Sequence, residues 1–280
     1  MLPVYIYILL INACFFCVDI LVRKESIASN TLAFISKRSL LTTLLTGIWL
    51  YTRSIDLMAI SLTTYFHIVG VALILSFGLI CYAISFKYIA FTNVAMISLL
   101  GVLFQQVFMV LIYGITFTST SLFCLLLALL GLAVQIVNPK LSKGTLYALG
   151  SALFFNLGYV LLAHPLQSSP LELSTFMIEL IILIVSTIFY FVTSKEYTPN
   201  YFFKLNKNLY LIAVLTTFGV LVVGYTYKYY PIDKVTLYNL FLQPTTVFLA
   251  YFILKDKLSR REWLGNIIIL IAFIIFQKAQ

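Results

Sequence analysis

The sequence predicts an all-α integral membrane protein with ten transmembrane helices, arranged as two inverted five-helix repeats. Three observations carry that expectation. Hydrophobic residues make up 62% of the 280 positions and charged residues only 10%; lipid tails can solvate that much apolar side chain and water cannot. The apolar residues come in runs of membrane length, too long and too continuous for the alternating strands of a barrel. A pattern in the first half also recurs in the second. A shift of 141 residues carries Phe77-Gly78, Lys87-Tyr88 and Val94 onto Phe218-Gly219, Lys228-Tyr229 and Val235 without a gap, and Leu99 and Ile112 onto Leu240 and Ile253. An odd number of crossings separates the copies, so they enter the bilayer from opposite sides. Inverted repeats of this kind mark secondary transporters, whose site lies near the midplane between the halves.

About 20 apolar residues span the hydrocarbon layer as helix. Ten stretches qualify: 3–22, 30–50, 64–86, 92–113, 119–137, 145–163, 171–193, 209–229, 235–254 and 263–277. The first lacks a charged leader and a small-residue cleavage site, so it reads as a retained helix. Ser169-Pro170-Leu171-Glu172 and Ser259-Arg260-Arg261-Glu262 are start signals for segments 7 and 10. Asn138-Pro139 ends segment 5, and the short Asn138–Gly144 loop joins two units, 1–140 and 141–280. Trp49, Tyr51, Tyr113, Tyr190, Tyr227, Tyr229, Tyr230 and Trp263 fall near segment ends, where interfacial aromatics collect. The longest connection, about Ser194 to Asn208, is polar and suits the membrane surface.

The formal charge is +9, but the basic residues lie between apolar runs. Their partners are therefore anionic membrane lipids and not nucleic acid. Loop Lys and Arg collect after odd-numbered segments, at Arg23, Lys24, Lys140, Lys143, Lys195, Lys204, Lys207, Lys255, Lys257, Arg260 and Arg261; the other connections hold chiefly Arg53. The positive-inside rule then places both termini outside. Cys14 and Cys17 have the spacing of a metal or redox pair, yet no second pair or His cluster completes it, so they read as inert helix residues. No phosphate-cradling loop, metal cluster or nucleophile–base spacing is present, so neither an enzyme nor a cofactor or metal is expected.

Ionisable groups within a span need a partner or a purpose. Arg38 lies about eight residues into segment 2 and Glu179 about eight into segment 7, and the 141-residue shift maps one onto the other. They face either a central cavity, each other as a structural ion pair, or opposite surfaces by snorkelling. A desolvated Glu179 could carry a proton. The mid-span amides Asn12, Gln105, Gln106, Asn156 and Gln243 suit a polar solute or helix–helix bonding. Gln105 and Gln106 diverge by about 100° on a helix, so one of them faces a cavity. Pro244 makes segment 9 the candidate for a broken site helix. Tyr82, Tyr159 and Tyr238 could stack on a solute or pack. Asp19 and Arg23, four apart, suit a local helix pair at the membrane edge. His67 and His164 read as interfacial, and Lys87 and Lys228 as depth anchors.

The last fifty residues resemble the EamA-type signature of the drug/metabolite transporter superfamily. Gln243-Pro244 stands in a helix, followed by Leu254-Lys255-Asp256-Lys257-Leu258-Ser259 and Glu262-Trp263-Leu264-Gly265. Asp256 stands where that family usually has Glu. In the first half Leu103 replaces the Pro and Ile115-Thr116-Phe117-Thr118 the charged turn, while Lys37-Arg38 matches the basic end of the family's second helix. The resemblance implies ten helices around a central cavity, with segments 5 and 10 peripheral, in a bacterial inner membrane; it also implies termini opposite to the charge bias. The function expected is alternating-access transport of a small polar or amphipathic metabolite, as exporter or exchanger, with proton coupling through Glu179. The alternative is a non-transporting or lipid-translocating membrane subunit of the same fold.

Overall fold

A computed structural model describes residues 3–28, 30–89, 91–135, 142–193, 206–242, 244–255 and 258–278. They form α1 (Val4–Ala28), α2 (Thr31–Thr52), a short 3-10 turn (Leu57–Ala59), α3 (Leu62–Ser85), α4 (Phe91–Tyr113), α5 (Ser119–Gln135), α6 (Lys143–Ser168), α7 (Leu171–Thr193), α8 (Lys207–Tyr229), α9 (Ile232–Leu242), α10 (Pro244–Leu254) and α11 (Arg260–Lys278). No strand occurs among the described residues. Asn138-Pro139, most of the polar connection before Asn208, Gln243, Asp256 and Lys257 lie outside the described residues.

Helix starts follow side-chain chemistry. Asn30 caps α2, accepting from the Leu32 and Ala33 amides at 3.0 and 3.4 Å. Ser61, Ser142 and Asn206 cap α3, α6 and α8 in the same way, which satisfies amides that have no partner within the helix. At α11 the predicted capping box forms: Glu262 Oε2 accepts from the Ser259 amide at 2.5 Å, and Ser259 Oγ accepts from the Glu262 amide at 3.3 Å. The α7 start differs from expectation. Ser169 Oγ donates to the Pro165 carbonyl and bonds Ser174 Oγ instead of capping, while Glu172 reaches across to Arg53 at 3.7 Å. With Pro170 at the junction, the turn leaves Ser169 closer to the end of α6 than to the amides of α7.

Segment 9 is two helices. Pro244 opens α10; lacking an N–H, proline cannot donate back along a helix. The carbonyl of Leu242, the last residue of α9, accepts from Asn12 Nδ2 at 3.2 Å and from Thr245 Oγ1 at 2.5 Å. Five helices, α1, α3, α6, α7 and α8, are long and apolar enough to cross a membrane. The 22-residue α2 is of similar length but carries Lys37 and Arg38 midway. Large apolar side chains point outward around the molecule, among them Leu111, Leu126, Ile188, Val192 and Ile274; in water so much exposed apolar surface would aggregate, and in lipid it is solvated.

The inner faces pair off helix by helix. α3 packs on α6 and α1 on α8; α4 packs on α6, and α1 on α9 and α10; α3 packs on α7 and α2 on α8. α2 packs on α7, and α5 on α11. The last contact is made at glycines: a Cβ on Gly265 would lie 2.3 Å from the Gly131 carbonyl oxygen, and one on Gly131 2.7 Å from that of Gly265. Between helices in lipid, such close backbone approach gives dispersion contact where no hydrophobic force exists.

Candidate functional site

Packing α1–α4 against α6–α10 leaves a cavity of about 270 Å³ at the centre. α5 and α11 contribute nothing to its wall. Its charged residues are Arg38, Glu179 and Asp19; its amides are Asn12, Asn156 and Asn239.

Arg38 and Glu179 meet. Arg38 Nη2 donates to Glu179 Oε2 at 2.8 Å, and Thr42 Oγ1 donates to the same oxygen at 2.6 Å. Both side chains are nearly fully buried, which excludes separate snorkelling to the two surfaces. Arg38 also donates to Ser39 Oγ at 3.1 Å, and its Nε has no partner. The two charges are mutually neutralised while still facing the cavity.

Asn12 lines the cavity and holds the end of α9 through the Leu242 carbonyl. Asn156 also lines it, with its Nδ2 donating to the Ala152 carbonyl one turn back at 2.7 Å. A Cβ on Gly101 would lie 2.3 Å from that same nitrogen, so α4 can approach α6 here only because residue 101 has no side chain. Neither adjacent glutamine touches the cavity. Gln105 Nε2 donates to Tyr227 Oη at 2.6 Å from behind the wall. Gln106 is buried, and among the described residues neither of its amide atoms has a hydrogen-bond partner.

Tyr82 and Tyr159 line the cavity and belong to one aromatic run. Tyr82 meets Phe155 edge-on at 6.0 Å, Phe155 stacks with Tyr159 at 6.1 Å, and Tyr159 stacks with Tyr227 at 6.0 Å. Tyr238 lies elsewhere: its hydroxyl donates to Gln277 Oε1 at 2.7 Å, and its ring packs on Phe273 and Phe276. A second hollow, of about 540 Å³, sits where α6 and α8 end, beside Tyr113, His164, Lys228 and Tyr230; Tyr227 lines both spaces.

One expectation is corrected outright. Asp19 makes no pair with Arg23; the described ion pairs are Arg38–Glu179 and Arg53–Glu172. Asp19 turns into the cavity, whose wall it shares with Tyr82. An i,i+4 spacing permits a helix pair, but the rotation of α1 turns Asp19 to the cavity. The wall also includes Ser98, Ser151, Thr216 and Thr246, which sequence reasoning passed over because hydroxyls in apolar helices usually bond their own backbone. Lys228 Nζ donates to the Ser169 carbonyl at 2.9 Å, tying the end of α8 to the α6–α7 turn. His67 and His164 meet edge-to-face at 5.5 Å.

Apolar outer faces on helices of membrane length define a multi-pass integral membrane protein. Residues 142–277 match the EamA-like transporter family. That family belongs to the drug/metabolite transporter superfamily, so the second half of this chain carries the EamA-type transporter signature. No curated protein matches it. A solved crystal structure is similar over 98% of this chain and 96% of its own, with a TM-score of 0.68 and 13% identity. At that identity the likeness concerns the fold alone.

Proposed function

We propose that the protein is a secondary active transporter that moves a small polar or amphipathic metabolite by alternating access across a bacterial inner membrane. The observation that carries this is the shared cavity between α1–α4 and α6–α10, with polar groups contributed from both sides. The pattern of helix contacts supports it. Exchanging α1–α5 with α6–α11, and counting α9 and α10 as one span, turns the α3–α6 contact into α8–α1, α4–α6 into α9–α1, and α3–α7 into α8–α2; α2–α7 and α5–α11 map onto themselves. Arg38 and Glu179, paired in space, are 141 residues apart, which is the repeat shift. Two halves related in this way can rock about a fixed centre.

The wall is mainly apolar side chains with a few polar groups set among them, Asn12, Asp19, Arg38, Asn156, Glu179 and Asn239, which suits an amphipathic solute whose polar group they hold. Glu179 is the candidate proton carrier: protonation would release Arg38 and free the α2–α7 contact to move. Purified protein in proteoliposomes should carry solutes found by comparing metabolite uptake and efflux in cells with and without the gene. Glu179→Gln should remove any dependence of that flux on a pH gradient. Flux with unchanged dependence would remove proton coupling, and no flux of any solute would favour a non-transporting subunit.

A further inference from the structure

The cavity holds an acid that no basic side chain meets among the described residues. Arg38 and Glu179 cancel at 2.8 Å, which leaves Asp19. It lines the cavity beside Tyr82, and among the described residues it makes no ion pair. A carboxylate within a span is costly unless a cation meets it, and here no described side chain does. Asp19 also breaks the internal symmetry, since the 141-residue shift carries it to Val160. The symmetry-related position on α6 carries no acid.

The surroundings suit a particular ligand. Tyr82, Phe155, Tyr159 and Tyr227 form a continuous aromatic wall on the cavity, with Phe15 and Phe16 also lining it. Ring faces attract cations, most strongly where water is excluded. Electron-rich rings beside a lone carboxylate are the combination that recognises an ammonium group bearing an apolar body. Resting on the transport reading above, we infer that the solute is an organic cation whose ammonium group pairs with Asp19 and whose carbon frame lies along the Tyr82–Phe155–Tyr159–Tyr227 wall. The ligand is the missing counter-ion of Asp19.

The test uses the purified full chain and radiolabelled benzyltrimethylammonium, with 3-phenylpropionate and benzyl alcohol as the anionic and neutral controls of like size. Wild type should bind the cation and neither control. Asp19→Asn should weaken cation binding on the order of 10- to 100-fold, while Asp19→Glu, which keeps the charge, should retain most of it. Thermal melting should show that Asp19→Asn is folded, and bound cation should raise the melting temperature of wild type and not of this variant. Should Asp19→Asn fail to fold, Tyr159→Ala takes its place, and its cation affinity must fall. Undiminished cation binding in Asp19→Asn, or in Tyr159→Ala where it is the variant used, overturns the inference, as does preferential binding of the anion or alcohol. A flux assay in which a neutral or anionic metabolite is carried overturns it too and leaves the transport reading standing; absence of any flux or binding defeats both.

Discussion

At the scale of single residues, the Arg38–Glu179 pair separates stability from function. Both groups are buried and share Thr42 as a third member. Removing one partner strands the other charge, at a cost of about 3–5 kcal/mol, whereas an apolar pair of like volume is often neutral or stabilising. Arg38→Met alone should therefore lower the melting temperature sharply. Arg38→Met with Glu179→Leu should recover most of that loss and still abolish transport. If the double variant transports normally, the pair is structural only. Asn12 offers a milder case. Its amide shares the Leu242 carbonyl with Thr245 where α9 ends, so Asn12→Leu should destabilise by roughly 0.5–1.5 kcal/mol, measured by thermal or chemical unfolding in detergent.

At the scale of elements, α5 and α11 lie apart from the cavity and meet through Gly131 and Gly265. Gly265→Leu should force these helices apart and lower the melting temperature, yet leave ligand affinity unchanged in the folded fraction. Altered affinity would mean that α5 and α11 communicate with the centre. α8 plays the contrasting part. Tyr227 stands in the wall of both hollows, with Gln105 behind it and Tyr159 stacked on it. Tyr227→Ala should join the two spaces. In proteoliposomes the expected result is a raised passive leak of small polar solutes, and an unchanged leak would show that other residues close this end.

At the scale of the whole molecule, charge divides the two ends. Glu25 at the end of α1 accepts from Asn208 at the start of α8; Tyr88 beyond α3 stacks on Tyr147 in the first turns of α6; Gln135 at the end of α5 lies against Gly265 near the start of α11. Lys24, Lys87, Lys143, Lys207, Arg260 and Arg261 therefore share one end, while Arg53 and Glu172 mark the other. The positive-inside rule assigns the basic end to the cytoplasm. In a cysteine-free background, Arg53→Cys should react with an impermeant thiol reagent in intact cells, and Lys143→Cys and Lys207→Cys should not. The reverse labelling would favour the orientation that the family resemblance implies.

What the sequence determined by itself was the helical architecture and the opposed polar positions. Run length against bilayer thickness located the helices to within a few residues at most ends, and the Ser259 cap marked the start of the last. These are local properties, decided by neighbours along the chain. Only the tertiary structure decided which polar side chains share a space. Gln105 and Gln106, adjacent in sequence, both fall behind the wall, Tyr238 packs against α11, and Asp19 turns into the cavity beside Tyr82. The rotation of each helix about its axis sets that outcome. The rotation depends on which faces interlock, through contacts such as Gly101 on α6 and Gly158 on Leu75. Nearly uniform hydrophobicity gives a helix in lipid little amphipathic signal to fix its facing, so that information resides in packing between segments far apart in the chain.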